Sequence, residues 1–202
     1  MVPIEPSIDL LKRLSNDLEI PKYTTNLVYL TSSGSPRKVE QTAIQSILSG
    51  SPKRADIYWF VHVNVLDEPY AMRYHVDTIV RNDVYFLEFN LGFRVEPRVD
   101  YYFRQVVSEL VKDGEVDVSE RREQYYQANG IGDFRFLLLE SFLSYDNDMP
   151  FVKRFVMKSY FNLKLLSVKE TVNFGLDPSN VTVEMYPLVV TPVVHDKLIR
   201  EK

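Results

Sequence analysis

The stretch Ile57-Tyr-Trp-Phe-Val-His-Val-Asn-Val65 constrains this chain more than any other. Its odd positions, Ile57, Trp59, Val61, Val63 and Val65, are all apolar, which is the alternation by which one face of a strand meets a core. The even positions, Tyr58, Phe60, His62 and Asn64, are large or polar but uncharged. A strand with no charge on either face needs cover on both, so it belongs in the middle of a sheet. A polar, proline-bearing lead-in (Ser51 to Asp56) precedes it, and an Asp67-Glu-Pro69 turn follows.

The elements upstream make a β-α-β unit with this strand. Ile8, Leu11, Leu14 and Leu18 recur at helical spacing, which predicts a helix from Pro6 to Leu18. Residues 26–31 alternate as a strand, and a Thr31-Ser-Ser-Gly-Ser-Pro36 loop follows. Ser35 reads as an N-cap with Pro36 at the first helical position. That helix would carry Val39, Ala43, Ile44, Ile47 and Leu48 on one side and stop at Gly50. Two strands joined through such a helix should lie parallel.

Downstream, Met72, Tyr74, Val76 and Val80 alternate with Arg73, His75 and Asp77, the pattern of a half-exposed strand. Arg81-Asn-Asp83 turns it into Val84–Leu91 as an antiparallel hairpin. Val99 to Val111 is the clearest helix, closed by Gly114. The tyrosine-rich stretch from Asp117 to Asn129 reads as a polar surface excursion. Phe134 to Leu143 reads as another central strand, Asn147 to Pro150 as the start of a helix through Leu163, and Val181–Tyr186 as a last strand. The order implies α/β class, with α+β as the alternative: a mixed β-sheet with helices packed on it. One domain spans 1–202, with its core at about 7–190 and a charged tail from His195 to Lys202.

Thirteen tyrosines and twelve phenylalanines against seven glycines suit a well-packed globule. A formal charge of -4 argues against broad nucleic-acid binding, which favours a basic excess. The absence of cysteine removes disulfide and thiolate chemistry. No apolar run reaches the roughly 18 residues of a membrane span, and no signal-peptide pattern opens the chain, so taken alone it reads as soluble.

Little in the sequence suggests catalysis. His62, His75 and His195 have no metal-ligand spacing, and there is no Gly-x-Ser-x-Gly element. The chain is therefore read as a non-enzyme, with no cofactor. His62 reads first as a satisfied buried histidine. The Thr31, Ser32, Ser33, Gly34, Ser35 loop is the most suggestive polar element. It follows a parallel strand and precedes a helix, where N–H groups and hydroxyls can meet an anion. Against it stands the plain role of a capped connector, since no P-loop lysine is present. Lys53 and Arg54, taken to lie near that loop, complete the candidate ligand-binding set with His62.

Several motifs resemble one family. Ile20 to Thr31, Pro52 to Val63, Asp67-Glu-Pro-Tyr70, Leu91-Gly-Phe-Arg94, Gly132-Asp-Phe-Arg-Phe136, Phe174-Gly-Leu-Asp177 and Val183 to Leu188 are similar, in order, to the C-terminal region of bacterial potassium uptake permeases of the KUP/HAK/KT family. The resemblance implies a cytoplasmic piece of a transporter that imports potassium, with protons, through membrane helices of its own. The family's ion-binding residues lie in that membrane portion, so none carries over to this chain. The implied role is regulatory or architectural: a homodimer beneath the membrane portion that biases its conformational equilibrium, with cyclic di-AMP as a candidate ligand of residues 31–35, Lys53 and Arg54. The alternatives are a purely structural dimerisation domain and a nucleotide-binding module like the universal stress proteins.

Overall fold

In the computed structural model, residues 1–117, 131–143 and 174–188 are described. By their contacts the residues fall into two compact units. One comprises Met1–Leu138 with Glu170–Val183, the other Leu139–Lys169 with Glu184–Lys202. The expected polar excursion after Asp117, the helix after Pro150 and the charged tail lie outside the described residues.

The described elements run β1 (Val2–Pro3), α1 (Glu5–Asn16), β2 (Lys22–Leu30), β3 (Lys38–Val39), α2 (Gln41–Leu48), β4 (Arg54–Leu66), β5 (Met72–Val80), β6 (Val84–Gly92), α3 (Val99–Lys112), β7 (Phe134–Leu143) and β8 (Val181–Leu188). Six strands form a mixed sheet in the order β5-β6-β4-β2-β7-β8. Strand β4 pairs in parallel with both β2 and β6, and β2 in parallel with β7, while β5 runs antiparallel to β6. The expected β-α-β unit and hairpin are both present. The hairpin is placed so that β6, not β5, lies against β4.

The alternation in β4 sorts its side chains as read. Ile57, Trp59 and Val61 enter one cluster with Tyr85, Leu87 and Phe89 of β6, Phe103 and Val107 of α3, and Phe136 of β7. Trp59 is its centre: it stacks on Tyr85 at 4.7 Å and meets Phe103 edge-on at 5.4 Å. The opposite face carries the buried Tyr58 and Phe60. Helix α1 meets β4 and β6, and its buried Leu11 and Leu14, like Ala43, Ile44 and Ile47 of α2, lie outside the first cluster. Burial pushes the Tyr58 hydroxyl up to about 12, so it stays protonated, donating to Lys53 O and accepting from Ala55 N.

Three details correct the sequence reading. Val65 is 66 % exposed, because β4 outruns β2, whose last residue Leu30 pairs with Val61. Leu18 is 81 % exposed: α1 stops at Asn16, whose side-chain amide turns back to Lys12 O, and Asp17 is already extended. The largest difference is in α2, which starts at Gln41 behind an N-cap at Glu40, not at Ser35. Pro36 does not open a helix because strand β1 competes for the following backbone. Val2 and Pro3 pair antiparallel with Val39 and Lys38, and Ile4 N donates to Arg37 O.

Candidate functional site

The parallel pairing of β2 with β4 decides which candidate residues can meet. Thr31 follows the C-terminal end of β2, and its backbone N–H donates to Val61 O. His62 comes next on β4, and its Nδ1 lies 3.1 Å from Thr31 O. A carbonyl only accepts, so Nδ1 carries the proton, and in the neutral ring Nε2 is a free acceptor turned toward Gly34. A Cβ on Gly34 would stand 3.4 Å from that Nε2. Within the loop, Thr31 Oγ1 accepts from Ser33 N, and Ser33 Oγ accepts from Ser35 N. Thr31, Ser32, Ser33, Gly34, Ser35 and His62 are thus one local group.

Lys53 and Arg54 do not belong to it. They lead into β4, where Arg54 pairs with Lys22 at the start of β2. From there to the Leu30–Val61 pair is seven residues of strand, roughly 23 Å at the usual rise. Lys53 Nζ donates to Ser46 O at 2.5 Å, and Arg54 Nη1 to Ile20 O at 3.0 Å. The two cations secure the N-terminal strand ends, where Lys22 also pairs with the buried Asp56 at 2.6 Å.

Glu40 is the residue of this site that sequence reasoning missed. Its Oε2 accepts from Thr31 Oγ1 at 2.7 Å, and its Oε1 accepts from Ser32 N at 2.8 Å and from Ser32 Oγ at 2.7 Å. A carboxylate of the chain itself therefore occupies the position that an external anion would take. The sequence carried no signal for it, because Glu40 follows β3, a strand that the local helix pattern concealed.

A second polar group fastens the start of β2 to β7. Asp133 accepts from Thr25 N at 2.9 Å and Thr25 Oγ1 at 2.5 Å through Oδ1, and from Thr24 Oγ1 at 3.0 Å through Oδ2. Asn26 Nδ2 donates to Ile131 O, and Asn26 Oδ1 accepts from Trp59 Nε1 at 3.0 Å. Partial burial works to raise the Asp133 carboxyl, but the Thr25 and Thr24 donors outweigh it and hold it below the usual carboxylate range. Because its folded value is depressed, the stability it contributes is present above the unfolded carboxyl value and fades as pH falls through the folded one. Asp133→Asn is expected to cost about 2 kcal/mol at neutral pH. Urea titrations at pH 7 and pH 3 check this, since the gap to wild type should narrow at the lower pH.

Two of the family-like motifs also meet. The Asp67 to Tyr70 turn after β4 packs on the Leu91 to Arg94 segment: Phe93 N donates to Leu66 O, Arg94 N to Pro69 O, and Arg94 Nη1 to Tyr70 OH. The Arg94 guanidinium lies 6.0 Å from the Tyr70 ring centre and 5.7 Å from that of Phe93. Among the described residues, no group of three or more histidine or acidic side chains could hold a metal ion. No helix among them is long and apolar enough to cross a membrane.

Fold and polar groups together define a mixed α/β domain whose loop donors, strand ends and buried carboxylates are engaged by partners within the chain. The chain belongs to the family described as the K+ potassium transporter C-terminal domain, whose sequence model matches residues 24–191. It is 48% identical over 192 residues to a probable potassium transport system protein Kup of Cytophaga hutchinsonii, covering 95% of this chain and 29% of that protein. The namesake of Flavobacterium johnsoniae is 48% identical over 190 residues (94% and 29%), and that of Clostridium perfringens 38% over 199 residues (98% and 30%). The chain thus spans under a third of the length of these curated relatives. No solved structure matches it.

Proposed function

We propose that this chain is the cytoplasmic regulatory and assembly domain of a membrane potassium importer, partnered by the membrane portion of the same protein and by a second copy of itself. The match of residues 24–191 to the C-terminal domain family carries this reading. The relatives, more than three times its length and named as potassium transport proteins, indicate what the remainder of such a protein would do. The domain would act by holding one arrangement of its partner more tightly than another.

Ligand control would work through the loop at 31–35. A phosphate of a cyclic dinucleotide such as cyclic di-AMP would replace the Glu40 carboxylate on Thr31 Oγ1, Ser32 N and Ser32 Oγ. Lys53 and Arg54 are too distant to share that phosphate, so the loop and His62 constitute the proposed contact. Because Glu40 competes for the same donors, Glu40→Ala should bind the dinucleotide at least about tenfold more tightly than wild type, as removal of one charge-assisted competitor implies. Titration calorimetry on both proteins checks this. Heat from neither at high micromolar ligand removes the ligand and leaves a purely structural assembly domain, a reading that the closed state of the loop favours.

A further inference from the structure

The six-stranded sheet ends at β5, and among the described residues no strand pairs with its outer side. Gly92 N donates to Ala71 O, and this sets the phase of the β5–β6 ladder. Arg73, His75 and Asp77 turn their backbone groups to β6, so Met72, Tyr74 and Val76 turn theirs outward. From Met72 to Thr78 the strand has neither a proline nor a bulge, the usual means of blunting an edge. It also exposes apolar side chains: Met72 is 57 % and Tyr74 42 % exposed, beside a cavity of about 180 Å³ lined with Phe89, Leu91 and Tyr102.

The charges on this edge suggest its occupant. Protective edges carry charge that repels a second copy, whereas here the order is Arg73, His75, Asp77. Turned about a two-fold axis through His75, the strand places Arg73 opposite Asp77 of the copy, twice. Tyr74 then faces Val76, and Met72 faces Thr78. In this register the outward backbone groups of residues 72, 74, 76 and 78 oppose one another, as antiparallel hydrogen bonding requires, and the two His75 residues form a non-hydrogen-bonded pair. Within one chain Arg73 pairs with Glu68, and His75 Nε2 lies 3.4 Å from Asp77 Oδ1. Both are exposed pairs, weak enough to exchange partners.

We infer that β5 is the interface of a two-fold dimer, in which two copies join edge to edge about His75 into one continuous sheet. This rests on the assembly reading above and specifies its surface.

Charge exchange and cross-linking test it on the whole 202-residue chain. Arg73→Asp alone, or Asp77→Arg alone, sets like charges opposite each other twice and should raise the dimer dissociation constant at least about tenfold in sedimentation equilibrium. The Arg73→Asp/Asp77→Arg double variant should restore it. The chain has no cysteine, so His75→Cys introduces a single thiol. Non-hydrogen-bonded pairs hold their Cα atoms about 4.5 Å apart, within disulfide range, so mild oxidation should give a covalent dimer, while Asn16→Cys on α1 should not. A wild-type dimer indifferent to both reversals and without the His75→Cys cross-link overturns the β5 interface and leaves assembly through another surface. A wild-type chain that stays monomeric at high concentration overturns the interface together with the self-assembly part of the proposed function. Circular dichroism confirms that each variant is folded.

Discussion

Replacing Trp59 with alanine is expected to cost about 3–5 kcal/mol, the range for emptying a large aromatic site in a close-packed core. Trp59 is fully buried on the most interior part of β4 and contacts residues of β2, β6 and α3. It stacks on Tyr85 of β6 and packs against Phe103 of α3, which in turn touches Phe134 and Phe136 of β7 at 5.8 Å. The indole N–H adds a second loss, because Asn26 Oδ1 on β2 would then be buried without a donor. Two substitutions separate these contributions. Trp59→Phe keeps most of the packing and should cost about half as much as alanine. Combining it with Asn26→Ala should cost less than the sum of the two, since each removes the other's partner. Chemical denaturation of the four variants measures all of this. An alanine variant within about 1 kcal/mol of wild type would mean that Trp59 does not organise the core.

That role was legible in the alternation of Ile57 to Val65, because burial on both faces leaves a signature in the strand itself. The hydrogen bond from Trp59 to Asn26 was not, since it depends on which residues of two parallel strands come into register. The false start assigned to α2 has a related origin. Ser35-Pro36 is a sound local helix signal, yet the competing strand comes from Val2 and Pro3, more than thirty residues earlier. In the candidate site, the link between Thr31 and His62 follows from the parallel register of β2 and β4, which sets the residue after Leu30 beside the residue after Val61. The same logic separates Lys53 and Arg54 from the loop: they stand at the start of one parallel strand, and the loop follows the end of the other. Glu40 could not be placed in this way, because its reach back to Ser32 needs the turn at Pro36 and the short strand after it.

Gly92→Ala is expected to cost about 3 kcal/mol, for a steric reason unrelated to backbone freedom. A Cβ at this position would lie 2.1 Å from Glu68 O and 2.5 Å from Pro69 C, which are backbone atoms and not the far end of a flexible side chain. That turn is held from both sides, by Gly92 N on Ala71 O and by Arg94 N on Pro69 O. Admitting a methyl group must push the Asp67 to Tyr70 turn away from the end of β6, breaking the contact of Arg94 with Tyr70 and moving the first residue of β5. Gly50 is the control that separates shape from flexibility. Its φ is +72°, yet a Cβ there would meet nothing within 4 Å. Gly50→Ala should therefore cost only the conformational penalty, about 1 kcal/mol. Thermal unfolding that ranks Gly92→Ala well below Gly50→Ala supports close packing of the two motifs. The reverse order would mean that the 67–70 turn adjusts freely, and the start of the β5 edge would then be loosely defined as well.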